Sequence, residues 1–314
     1  MHPAKSVILF TTASGAGAGL LVWLVVFGMA GRLPHDFLFQ ILALSLAFIL
    51  VSVGLLSSLL HLGHPARAWR ALSQWRSSWL SREGVAALTI YPTAGAYGIA
   101  LYILGVSSPI TWALSFATIV LTIAFLISTG MIYASLRPIR AWANPYVPTG
   151  YLLFALMTGA MLLTVVQSLF AEDHKPAMGI TIGLLAIGLV HKWGYWRFID
   201  DVPSSSTPET ATSLSFLGRV RLLEGPHSEA NYLMQEMGFR IARKHSRVLR
   251  CIVLIVGFIL PSLILGVSLI FPSADVVLIL LATFFCTVGI GVERWLFFAE
   301  AKHTVALYYG APSA

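Results

Sequence analysis

The stretch Cys251–Phe271, CIVLIVGFILPSLILGVSLIF, carries no charge. It is long enough to cross about 30 Å of hydrocarbon as a helix, which takes ~20 residues. Seven further apolar runs lie outward from it: Ile8–Ala30, Phe37–Leu60, Gly84–Gly105, Ile110–Leu136, Thr149–Phe170, Ala177–Val190 and Val276–Val292. Ala177–Val190 is short for a span and is expected to continue through Lys192 to about Trp196, with the lysine snorkelling to the interface. The pattern predicts an all-α integral membrane protein of eight transmembrane helices. It forms a single domain over residues 1–314, with a polar loop insertion at about 192–250. An apolar fraction of 57% and a mean hydropathy of +0.82 exclude an ordinary soluble globule.

The charges give the expected orientation. Of 20 Lys and Arg, 17 fall in the N-terminal segment, the second, fourth and sixth connections and the C-terminal segment. The other connections hold only Arg32 and Lys175, and Arg294 lies at the inner end of the last run. The positive-inside rule then places both termini in the cytoplasm. The first run lacks a small-residue cleavage site and is expected to be a retained helix. The net charge of +7 reports topology and contact with anionic lipid, and nucleic acid is not an expected partner. Cys251 and Cys286 have no CxxC spacing, so this protein does not itself ligate an iron–sulfur cluster, and no His/Cys pair has zinc spacing.

The outer turns, Gly31–Asp36, Val106–Pro109 and Pro272–Asp275, are short. The inner side holds the hinge His61–Glu83, the loop Arg137–Pro148 and the long polar segment Lys192–Arg250. Within the last, Val202–Thr212 reads as flexible surface. Glu229–Arg250 reads as an amphipathic run that either lies along lipid or docks another subunit. In the hinge, Trp69, Leu72, Trp75 and Trp79 recur at helical spacing with Arg67, Arg70 and Arg76 between them, as an interfacial helix requires. No internal repeat is evident.

Apart from Asp36 and Asp275 in the outer turns, the groups fit for chemistry border the spans at their inner ends: His61, Glu83, His191, Glu293, Arg294, Glu300 and His303. None is expected at mid-membrane, where transporters and proton pumps place carboxylates, histidines or broken helices. A site at one interface suits a lipid-soluble quinone, whose two-electron reduction consumes two protons that histidine and carboxylate can carry. His61 and Glu83 close the two ends of one hinge and are expected to face each other. Glu83, at a helix start, also suits the helix dipole. His61 and His191 at similar depth admit a b-type haem as a second ligand class.

LLHLGHPARAWRAL and SWLSREG in the hinge, with NPYVPTGY and GVERWLFFAEAKHTV further on, resemble the DMSO reductase anchor-subunit family over nearly the whole chain. The resemblance implies an eight-helix anchor in a bacterial cytoplasmic membrane, partnered by a molybdopterin catalytic subunit and a ferredoxin-like iron–sulfur subunit. The molybdenum cofactor and clusters would sit on those partners, and the anchor would exchange electrons with quinone (ubiquinone or menaquinone). It puts the quinone histidine on His61 and the catalytic, proton-relaying carboxylate on Glu83. MHPAKSVILFTT, HKWGYWRFID and the insert with TPETAT, RLLEGPH and EMGFRIARKHSRVLR look more like the anchor of quinone-linked sulfite dehydrogenases. Sulfite oxidation with quinone reduction is therefore the expected reaction. A DMSO-type reductase oxidising quinol and a purely structural anchor are the alternatives.

The quinone headgroup is expected near the inner ends of the second, third and eighth helices. His61 would donate to one carbonyl and Arg67 would stabilise the reduced ring. Glu293 and His303 are further candidates, unless Glu293 neutralises Arg294 or another buried cation. Arg67, Arg70, Arg137, Arg140 and Glu229–Arg250 are expected to dock the soluble partners.

Overall fold

The computed structural model describes residues 5–60, 64–201, 207–220, 223–224, 245–271, 274–302 and 304–309. Among them there is no strand, and eight helices are long and apolar enough to cross a membrane: α1 (Lys5–Met29), α2 (Phe37–Leu59), α3 (Trp79–Leu104), α4 (Pro109–Ala134), α5 (Tyr146–Leu169), α6 (Lys175–Asp201), α7 (Ser246–Ser268) and α8 (Asp275–Ala299). Local chemistry sets several of the starts. Asp36 caps α2 by accepting from the backbone N–H of Leu38 and Phe39 at 3.2 Å each. Ser108 caps α4 ahead of Pro109, whose fixed φ suits the first helical position.

Two four-helix groups, α1–α4 and α5–α8, meet along α1 and α5. In those two helices 67% of the span is buried inside the protein, against 28–33% elsewhere, so the other six present most of their surface outward. The seam is made by small residues. A Cβ added to Gly19 would overlap the Ala155 backbone, and one added to Gly159 would overlap that of Gly19. Backbones approach this closely in membrane bundles where nothing projects between them. Trp23 Nε1 donates to the Leu156 carbonyl at 2.8 Å across the same seam.

The helices outrun the apolar runs at the basic end. α3 begins five residues before Gly84, α6 continues past Trp196 to Asp201, α7 begins at Ser246 and α8 ends at Ala299. Residues expected to border the membrane therefore lie inside helices. Lys192 does not snorkel: its side chain is buried and ion-paired. Glu83 lies beyond the first turn of α3, which Ser78 caps, so the helix dipole is not what holds it.

The hinge is a 3-10 helix, Pro65–Gln74. Three residues per turn align Trp69, Leu72 and Trp75. Leu72 packs toward Gly84 while the two indoles stay exposed. Trp79 belongs to α3 instead. The polar insertion is less loose than its composition suggests. Residues 202–206 lie outside the described residues, but Thr207 and Thr210 form a reciprocal cap on the turn Pro208–Ala211. At the opposite end of the bundle, His174 Nε2 lies 2.5 Å from Asp275 Oδ2, tying the α5–α6 connection to the start of α8.

Candidate functional site

A belt of polar side chains crosses the bundle between both helix groups, within two turns of the basic ends of α3, α4, α5 and α8. Glu83 of α3 accepts a hydrogen bond from Thr129 Oγ1 of α4 at 2.5 Å, with both residues buried. Thr129 lines a narrow, partly open cleft between α1, α4, α5 and α8. On its α1 wall stand Thr11, Thr12 and Ser14, which belong to a π-helical turn, Phe10–Ser14. Such turns open the backbone ladder and recur at functional sites. The opposite wall carries Tyr151, Phe154, Thr158 and Arg294.

Arg294 is 4% exposed, and its guanidinium stacks 4.0 Å from the centroid of Tyr151 and 5.4 Å from that of Phe154. Its Nε lies 3.4 Å from Glu293 Oε2, while Glu293 Oε1 accepts from Lys192 Nζ at 2.5 Å. Lys192 in turn sits over Tyr195 at 4.1 Å and Trp196 at 5.0 Å. Two cations share one carboxylate, and aromatic faces supply the remaining stabilisation. Tyr133 of α4 stacks on Tyr151 at 5.7 Å and 18°, joining the α3–α4 side to this cluster. A second, smaller cavity, lined by His191, Lys192, Glu293, Tyr195 and Tyr146 among others, shares Tyr151, Phe154 and Arg294 with the first. Further toward the basic face, Arg250 holds Asp200 and Glu300 together at 2.5 and 2.8 Å. Burial raises the Glu300 carboxyl above its usual range and Arg250 opposes that shift.

Thr129, which holds the Glu83 carboxylate, and the Arg294 guanidinium thus stand on different walls of the first cleft. A family model described as the DMSO reductase anchor subunit (DmsC) matches residues 1–300. The chain belongs to the DMSO reductase anchor-subunit family. It is 30% identical to the C subunit of the sulfite dehydrogenase of Allochromatium vinosum, over 98% of this sequence and 99% of that one. It is 28% identical to the C component of the anaerobic dimethyl sulfoxide reductase of Escherichia coli, over 58% of this sequence and 66% of that one. The protein is thus a membrane anchor subunit of the sulfite dehydrogenase and DMSO reductase type.

In this anchor the expected site residues divide. Glu83 and Glu293 are buried in the belt, and Glu293 does neutralise buried cations, Lys192 and Arg294. His61 and His303 lie outside the described residues, as does most of Glu229–Arg250. Arg67, Arg70, Arg137 and Arg140 are exposed, on the hinge and on the α4–α5 loop. His191 Nε2 lies 3.0 Å from Thr149 Oγ1, and its ring is flanked by Tyr146 and Phe154.

Sequence reasoning passed over Lys192, Thr129 and the Tyr133–Tyr151 stack as parts of a site, and named Arg294 only among the charged groups bordering the spans. One signal was available. Lys192, Glu293 and Arg294 interrupt or adjoin apolar runs, and their charges require partners within the bundle. Tyr151 falls within NPYVPTGY, but a tyrosine in a span has no distinctive spacing.

Proposed function

We propose that this anchor links a cytoplasm-facing iron–sulfur partner to the quinone pool, most specifically in sulfite oxidation with quinone reduction. The observation that carries the reading is the cleft bordered by Thr129, which holds Glu83, and by Tyr151 and Arg294. The headgroup sits there, Arg294 stabilises the charge that develops on the reduced ring, and Glu83 exchanges a proton with it through the Thr129 side. The role of His61 as a carbonyl donor rests on the family resemblance. Arg67, Arg70, Arg137 and Arg140 form the docking face for the partners, with the molybdenum cofactor and clusters held on those subunits. Both termini face the cytoplasm, in keeping with the charge asymmetry. Sulfite as the substrate of the catalytic partner is supported by the nearly full-length similarity to the sulfite dehydrogenase relative.

The second reading, quinol oxidation by a DMSO-type reductase, is favoured by the family match over residues 1–300. Membranes containing the complete complex distinguish the two. Sulfite-dependent reduction of decylubiquinone, lost on deletion of this anchor while dye-linked sulfite oxidation persists in the soluble fraction, is the expected result. DMSO-dependent quinol oxidation without sulfite activity would establish the second reading.

A further inference from the structure

His191 stands where α6 passes the first turn of α5. Its ring fits because residue 150 is glycine: a Cβ there would come within 2.9 Å of His191 Cε1. The two ring nitrogens meet different surroundings. Nε2 pairs with Thr149 Oγ1 at 3.0 Å, and Thr149 is exposed. Nδ1 is buried and has no hydrogen-bond partner among the described residues. A histidine so placed takes up a proton on one nitrogen and releases one from the other.

His191 lines the second cavity. Another buried polar atom on that cavity's lining residues, the Tyr151 hydroxyl, closes no hydrogen bond among the described residues, while Glu293 Oε2 faces Arg294 Nε at 3.4 Å. Orphaned polar atoms around one internal space are what an ordered water satisfies. Tyr151 belongs to the lining of the central cavity as well, so this residue borders both spaces.

We propose that His191 is the entry of a second proton path, separate from Glu83, which runs through this cavity and the Tyr151 hydroxyl to the central cavity. The path rests on the quinone reading given above. Reduction of a quinone to a quinol takes two electrons, supplied here by the iron–sulfur partner, and two protons, one for each ring oxygen. Glu83 delivers one proton. The Tyr151 hydroxyl gives its proton to the other oxygen and regains one, across a water in the cavity, from His191 Nδ1. The histidine is reloaded on Nε2 from the basic face. The groups facing His191 are Lys192 and Tyr195 of α6, Tyr146 and Tyr151 of α5, and Glu293 and Arg294 of α8.

The test uses the complete complex in membranes, with sulfite as donor and either decylubiquinone or a soluble dye as acceptor. His191→Phe keeps a ring against Gly150 but removes both nitrogens. It is expected to leave dye-linked turnover and subunit content unchanged and to lower quinone-linked turnover about ten-fold, with the loss deepening as pH rises. Thr149→Val removes only the outer hydrogen bond and is expected to give a smaller loss in the same direction. It carries the test if the phenylalanine variant does not assemble. Normal quinone-linked turnover and an unchanged pH profile in the variants that assemble would overturn the path. Failure of the unmodified complex to reduce decylubiquinone would instead overturn the quinone reading and the path with it.

Discussion

The two helix groups bury charge in opposite ways. α1–α4 enclose a single carboxylate, Glu83, held by the hydroxyl of Thr129. α5–α8 enclose Lys192, Glu293 and Arg294, paired with one another and covered by Tyr151, Phe154, Tyr195 and Trp196. A lone carboxylate in an apolar bundle gains or loses a proton at little cost to its neighbours, whereas a paired cluster is held in its charged form by its partners. In the proposed function the first arrangement moves protons and the second fixes a field. The cleft lined by Thr129 and Arg294 lies between the two.

Breaking the paired side is expected to cost most. Glu293→Ala leaves Lys192 and Arg294 facing each other without a carboxylate, a loss of about 3–5 kcal/mol for an unmatched buried charge. Anchor content in membranes and the thermal midpoint of the solubilised complex report it. Combining Lys192→Met with Glu293→Leu is expected to recover only part of the loss, because it removes one of the two unmatched cations and leaves Arg294 without its carboxylate. A double variant no more stable than the single one would show that the cluster is not a unit.

Changing the lone side is expected to leave the fold intact and remove function. Glu83→Gln keeps the size and an acceptor for Thr129 but cannot exchange a proton. Quinone-linked turnover is expected to fall about 100-fold, equivalent to about 2.7 kcal/mol, with dye-linked turnover preserved. A parallel loss of assembled complex would make Glu83 a structural group and erase the contrast between the halves.

The seam between the halves has its own, smaller signature. Gly159→Ala drives a methyl group into the Gly19 backbone and is expected to cost about 1–3 kcal/mol by melting. Gly179→Ala is the control: its added Cβ meets nothing within 4 Å, and alanine is the better helix former by about 1 kcal/mol. The smallest effect on the anchor itself is expected at the hinge. Arg67→Glu with Arg70→Glu changes stability by less than about 0.5 kcal/mol, since both side chains are exposed, yet releases the soluble partners from washed membranes.

The number, order and approximate limits of the helices were legible because spans announce themselves through composition alone. Their basic ends were not. Glu83, Lys192, Glu293 and Arg294 look like boundary residues when each run is read separately, and only the neighbouring helices show that each charge is enclosed. The seam was illegible for a related reason. Gly15 and Gly19 are visible in the first run, but their partners at Ala155 and Gly159 are fixed by packing between distant helices. The Glu83 position was found through motif resemblance, while its partner Thr129 sits 46 residues away on α4 and follows no local rule.

The central claim is that quinone is held between the two halves and not at the exposed hinge. Photolabelling of the purified complex with an azido-quinone, followed by peptide mapping, tests this most directly. Label on the peptides carrying Thr11–Ala16, Thr158 and Ile290, competed away by excess decylubiquinone, is the result the account predicts. Competed label confined to the hinge around Arg67–Arg76, with none on α1, α5 or α8, would contradict it.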